Sequence, residues 1–188
     1  IMYDYAQNYC IKQINSGNSG YLKEIYKLYK QLLANELLFV DGLLSQWDYK
    51  NIVTVGTRLK DYKWIAYFLN KFKNRLPEKD RENAFAYNLA GLYYAQQRYA
   101  DAMPLLLQVE YTDVYYNLGS RALLMKIYYE DGQFEPLFSL CDAFIKYLQR
   151  SKTISDYQAT VHRNLVRIVR KLADLKLQRP HQPKTSFN

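Results

Sequence analysis

The sequence predicts an all-α fold: an α-α superhelix of about four antiparallel helix pairs plus a C-terminal capping helix. Three observations carry this. An aromatic residue recurs in one local setting: Tyr62 follows Lys60-Asp61, Tyr99 follows Gln97-Arg98, and Phe134 follows Gly132-Gln133, at intervals of 37 and 35 residues. Each aromatic comes after a short polar turn and opens a new apolar segment, and a period in this range marks stacked helical hairpins. Between the turns, apolar residues recur at i, i+3, i+4 and i+7, the spacing that lines one face of a helix. No two neighbouring segments alternate in the way that paired strands require.

The elements follow in order. Asp4 to Asn15 reads as a helix, ended by the breaker Ser16-Gly17-Asn18-Ser19-Gly20. Leu22, Ile25, Tyr26, Tyr29, Leu32 and Leu33 then form one apolar stripe, with Lys23, Lys27 and Lys30 on the outer face. Residues 35–44 make an apolar connector that turns at Asp41-Gly42. Ser45 with Asp48 caps a helix running to about Leu59, and Ile65, Phe68, Leu69 and Phe72 mark its partner. Pro77 ends that pair and can open the next helix, where its missing N–H costs nothing.

Residues 78–96 place Phe85, Leu89, Leu92 and Tyr93 on one face, and pair with Tyr99 to Val109, a segment that Pro104 should kink or start late. Asp113 to Glu130 stops at Asp131-Gly132, and Gln133 to Arg150 follows with Pro136 in its first turn. Ser155 and Gln158 box the start of a last helix, 156–177. Its stripe of Val161, Leu165, Ile168, Leu172 and Leu175 is expected to cover the end of the stack. Residues 1–178 read as a single helical-repeat domain, and the tail 179–188, with Pro180 and Pro183, as disordered.

Composition narrows the class. At 49% hydrophobic the 188-residue chain is neither disordered nor fibrous. No apolar run approaches the ~18 residues of a membrane span. The chain opens at Ile1, without an initiator Met or a secretory leader, and is expected to be a fragment of a longer protein. Cys10 and Cys141 are too few and too distant for a disulfide framework or a metal site, and read as small core residues. A reducing, cytoplasmic setting is the expectation that follows. Charge is uneven: residues 1–144 hold 16 basic and 16 acidic side chains, whereas residues 145–188 hold ten basic ones against Asp156 and Asp174. The whole net charge of +8 therefore lies in the last quarter of the chain.

The helix pairs resemble tetratricopeptide repeats. In a register starting at Asn83 the signature positions hold Leu89, Ala90, Tyr93, Gln97, Tyr99, Ala102 and Leu106. Starting at Leu118 they hold Leu124, Met125, Tyr128, Gly132, Phe134, Leu137 and Cys141. Starting at Gln46 they hold Ile52, Val53, Gly56, Lys60, Tyr62, Ile65, Leu69 and Pro77. A fourth, poorer unit begins near Tyr5, with Tyr21 at its turn. The chain is also similar to bacterial helical-repeat proteins to which no function attaches. The resemblance implies a non-catalytic scaffold whose concave face takes a protein or peptide.

The repeat register places Trp47, Lys50, Asn51, Thr54 and Arg58 on that face in one unit, Tyr87, Asn88, Tyr94 and Ala95 in the next, and Lys126, Tyr129 and Glu130 in the third. Amide, cationic and aromatic side chains together suit an extended peptide. The expected groove is therefore Lys50, Asn51, Arg58, Tyr87, Asn88, Tyr94, Lys126 and Tyr129. Most of the 20 tyrosines are expected to be packing residues, and Tyr94 and Tyr129 can equally pack on a neighbouring helix. Chaperone-type members clamp a terminal carboxylate with Lys and Asn. Lys50 and Asn88 match that clamp, whereas Thr54, Gly119 and Leu123 fill its other positions.

A second reading places an anion or a nucleic acid on the last helix, where Arg163, Arg167 and Arg170 form one stripe beside Lys171 and Lys176. The plainer reading is a solvated helix face. Catalysis has little to stand on. His162 and His181 lack triad partners, the glycines form no phosphate loop, and no His, Cys or carboxylate set has metal spacing. No enzyme activity, cofactor or metal is expected.

Overall fold

The computed structural model describes residues 2–109 and 113–178, the side chain of Met2 excepted. The tail expected to be disordered lies outside the described residues. Residue contacts gather the chain into two compact units, Ile1–Val109 and Glu110–Asn188.

The first unit holds α1 (Met2–Asn15), α2 (Tyr21–Ala34), α3 (Gln46–Arg58), α4 (Tyr62–Phe72), α5 (Glu78–Ala95) and α6 (Tyr99–Gln108). Each helix packs on the next, and α3 also packs on α5, the first helix of the following pair. The α2 stripe is buried as its spacing predicts: Leu22, Ile25, Tyr26, Tyr29, Leu32 and Leu33 all face inward. At the start of α3, the Ser45 hydroxyl accepts the Asp48 N–H at 3.0 Å and donates to the Asp48 carboxylate at 2.7 Å. α6 starts at Tyr99 and runs through Pro104, so the expected late start does not occur.

Two expectations are corrected in this unit. The connector forms a minimal antiparallel ladder, β1 (Phe39–Val40) with β2 (Leu43–Leu44), across a turn in which Asp41 and Gly42 both have positive φ. That turn fits the right-handed twist of two strands, and Asp-Gly is the pair that reaches it most easily. α5 does not present Phe85, Leu89, Leu92 and Tyr93 as one buried face. Its buried residues are Ala84, Asn88, Ala90 and Leu92, because α3, α4 and α6 all pack against it and small residues let them approach.

The second unit holds α7 (Val114–Glu130), α8 (Phe134–Arg150) and α9 (Asp156–Gln178), with α9 packed on both others. Asp113 caps α7 by accepting the Tyr116 N–H at 3.1 Å. Ser155 and Gln158 form their reciprocal box at the start of α9. Of the stripe expected to cover the stack from α9, Leu165 packs on the core, while Val161, Ile168, Leu172 and Leu175 are exposed. The helix buries Ala159, Val166, Val169 and Ala173, whose small size brings it close to the Phe144 and Leu137 layer.

The aromatic recurrence marks one turn made three times. Lys60, Gln97 and Gly132 stand at φ 60°, 59° and 75°, each two residues before its aromatic. In each, the next N–H reaches back five residues: Asp61 to Gly56 at 3.0 Å, Arg98 to Tyr93 at 2.9 Å, Gln133 to Tyr128 at 2.8 Å. This is the Schellman ending, which satisfies the last carbonyls of a helix through one left-handed residue. Two of the three carry a side chain where glycine is easiest. Gln97→Gly is therefore expected to stabilise its unit by about 0.5–1 kcal/mol, and Gly132→Ala to destabilise its own by about 1 kcal/mol. Urea unfolding of the two variants beside the wild type checks both signs.

Candidate functional site

Along α3, Asn51, Thr54 and Arg58 recur at i, i+3 and i+7, so one face carries all three. They form one wall of a cavity of about 170 Å³; α1 contributes Ile11, Ile14 and Asn15, and α2 contributes Leu22, Ile25 and Tyr29. The interior is largely aliphatic, Val55 of α3 included, and Asn51, Thr54 and Arg58 add polar groups on the α3 side. Tyr29 is fully buried, and its hydroxyl lies beside the Asn51 amide without a hydrogen bond of good geometry. Burial foremost, with the Asp48 carboxylate, pushes that phenol up to about 12, partly offset by the neighbouring Asn51 amide. The hydroxyl therefore stays protonated at neutral pH and is available as a donor. An unsatisfied buried hydroxyl costs on the order of 1–3 kcal/mol.

The other residues expected in the groove lie as follows. Lys50 is half-buried, and burial holds its ammonium below the ordinary lysine value. Tyr87 is half-buried on α5. Asn88 is only 3% exposed, and its amide donates to the Ala84 carbonyl at 2.8 Å within α5, so it offers no free amide to a peptide. The ring of Tyr94 packs against Tyr99 with centroids 5.9 Å apart, bracing the turn between α5 and α6. In the second unit Lys126 is exposed, while Tyr129 is half-buried under α9: the Lys176 ammonium lies 4.9 Å from its ring and donates to its carbonyl. The register thus brings together Asn51 and Arg58, with Thr54. Tyr29 completes the cavity from α2, where periodicity alone marks it as one more core residue.

A wider, open cleft of about 420 Å³ runs along the outer face of α2, lined by Lys23, Lys27 and Lys30 among others. Around Lys30 its chemistry is internally matched. The Lys30 ammonium bonds Asp61 at 3.0 Å and sits 4.3 Å and 4.4 Å from the rings of Tyr26 and Trp64. The Tyr26 hydroxyl donates to the same carboxylate at 3.1 Å. Burial works to raise Asp61, and the hydrogen bonds from Lys30 and Tyr26 outweigh it, holding the carboxyl below its ordinary value. Asp61 also belongs to the turn before Tyr62, so the cluster reads as a clasp between α2 and α4.

On α9, Arg163, Arg167 and Lys171 are exposed. Arg170 is committed elsewhere: it bonds the Asp142 carboxylate at 2.6 Å and spans toward the Phe138 carbonyl. The cationic stripe expected from sequence therefore loses one of its three arginines to packing against α8. His162 lies on the inner side of the same helix, 5.5 Å from the Phe144 ring, with Nδ1 buried and unpartnered. Burial lowers its pKa below 6.5. The sign follows: above pH 6.5 the imidazole is neutral in both states, and below it the unfolded chain takes up the proton first. Stability of the second unit is thus expected to fall as pH drops below 6.5. Urea midpoints at pH 7.5 and 5.5 should show a smaller acid loss in His162→Leu than in the wild type.

No cluster of three metal-ligating side chains occurs among the described residues, and no described helix is long and apolar enough to cross a membrane. His181 lies outside the described residues. No known protein family, curated protein or solved structure matches this chain.

Proposed function

We propose that this chain is a non-catalytic protein- or peptide-binding scaffold of tetratricopeptide-like helical hairpins, and that it takes its ligand on the α3 face. One observation carries the reading: the polar row Asn51, Thr54 and Arg58 rims an aliphatic cavity that also holds the unpartnered Tyr29 hydroxyl. At about 170 Å³ the cavity is smaller than the ~300–1,000 Å³ of typical small-molecule sites, and suits a single side chain. Asn51 is placed to pair with a peptide amide and Arg58 with a carboxylate, while the aliphatic wall takes an apolar residue. The three repeated turns support the hairpin reading, since they recur at the spacing of the tetratricopeptide pattern.

Selection from a random-peptide display library tests this. The expected result is a convergent motif with an apolar residue close to an acidic one. Asn51→Ala combined with Arg58→Ala should weaken the selected peptides by about tenfold or more, and Lys126→Ala should leave them unchanged. Selection without a common motif, or peptides indifferent to the double variant, would remove the α3 face from the function.

A further inference from the structure

The open cleft on α2 takes no part in the proposed peptide site, which uses another side of the same helix. Leu22, Ile25 and Tyr29 line the α3 cavity, whereas Lys23, Tyr26, Lys27 and Lys30 line the cleft. The cleft floor is apolar, made by Tyr26, Ala34 and Leu59 with the aliphatic stems of the lysines. Lys30 is answered by Asp61 in the clasp, so that pair adds no net charge. Lys23 and Lys27 are exposed, as is Lys60 directly after Leu59. None of these three has an ion-pair, hydrogen-bond or ring partner among the described residues. The neighbouring carboxylates act elsewhere. Burial foremost, then the Glu24 carboxylate, pushes up the Cys10 thiol of α1, and Glu36 lies 3.6 Å from Arg75.

We infer that this cleft docks an acidic segment of a partner protein, its apolar side chains on the floor and its carboxylates on Lys23 and Lys27. Charge and shape decide the occupant. The two free lysines stand about 6 Å apart along the helix axis, a spacing that carboxylates one helical turn apart on a partner can match. At about 420 Å³ the cleft is large enough for a small ligand, but it is open, whereas small-molecule sites bury most of their ligand. A bilayer takes a projecting apolar face, and here the apolar surface is the recessed floor behind a charged rim. Nucleic acid asks for free aromatic faces to stack on. The rings of Tyr26 and Trp64 meet edge to face at 5.5 Å, and the Lys30 ammonium lies over both. Two copies of this face would set lysine against lysine whether the helices ran parallel or antiparallel, because the row holds no free carboxylate.

The test selects peptides from a random display library on the full chain carrying Asn51→Ala and Arg58→Ala, which silences the α3 face. Enriched peptides should carry two or more acidic residues around an apolar one. By fluorescence anisotropy they should bind this variant and the wild type equally, so the outcome here is read apart from that of the α3 site. Lys23→Ala combined with Lys27→Ala should weaken them at least about tenfold, and added salt should weaken them too. Ala34→Arg separates docking from plain charge attraction. It adds a cation while filling the floor, so a docked peptide should lose about tenfold in affinity and a charge-only binder should gain. Lys23, Lys27 and Ala34 are exposed, so the unfolding midpoints of these variants should match the wild type. Three results would overturn the inference: no acidic enrichment, binding indifferent to the loss of both lysines, or tighter binding to Ala34→Arg. It would equally be overturned if Lys23 and Lys27 served single-stranded RNA or phosphatidylserine vesicles in preference to the peptides. A dimer seen by light scattering and lost with the two lysines would overturn it as well.

Discussion

Gly56→Ala is expected to destabilise the first unit by about 2–3 kcal/mol. Gly56 lies in α3 against Ile65 of α4. A Cβ there would collide with Ile65 Cδ1, lie 2.6 Å from Ile65 Cγ1 and 3.1 Å from Tyr26 Cε2. Ile65 is fully buried, so its branch has nowhere to turn. Alanine gains about 1 kcal/mol of helix propensity over glycine, which is too little to offset an overpacked interface. Moving α3 to make room would also disturb the turn, because the Gly56 carbonyl accepts the Asp61 N–H. Ile65→Ala removes the obstructing atoms and itself costs stability. The double variant should therefore be more stable than the two single losses added together. A coupling of about 1–2 kcal/mol in a double-mutant cycle from urea melts would confirm the contact, and strict additivity would contradict it.

Two buried tyrosines should respond to the same change with opposite signs. Tyr49 and Tyr29 are both fully buried. The Tyr49 hydroxyl donates to the Leu69 carbonyl at 2.8 Å, so Tyr49→Phe leaves an acceptor unpaired and should cost about 1–2 kcal/mol. The Tyr29 hydroxyl has no partner, so Tyr29→Phe removes a desolvated polar group and should stabilise the protein by about 1 kcal/mol. Neither change alters the packing of the ring. Urea midpoints at neutral pH read the difference directly. A loss on Tyr29→Phe as large as that on Tyr49→Phe would mean that the hydroxyl is satisfied within the fold and is not held for a ligand.

What the sequence made legible was local. The turns at Lys60, Gln97 and Gly132 are set by a few neighbouring residues, so a short motif places them. Helix starts were legible for the same reason, because Ser45 and Ser155 cap from three residues away. The buried side of α9 was not. A scan for large apolar residues finds Val161, Ile168 and Leu172, while the contact is made through Ala159, Val166 and Ala173, chosen for size. Asn88 escaped for a related reason: α5 is enclosed by three helices, so a polar side chain at a groove-type position is buried and bonds its own helix. The ladder at residues 39–44 is two residues per strand, too short for alternation to register. At the candidate site, Asn51 and Arg58 follow from the repeat register. The cavity beneath them depends on how α1, α2 and α3 fit together, which no single-helix pattern encodes.

The account rests on the α3 face and the cavity beneath it as the place where a peptide binds. Amide shift mapping of isotope-labelled protein, titrated with a peptide from the display selection, tests that most directly. Saturable shifts should concentrate at residues 51–58, at Ile11 to Asn15 and around Tyr29, and should weaken in Tyr29→Phe. Shifts centred on Lys126 and Tyr129, or spread without saturation, would contradict it.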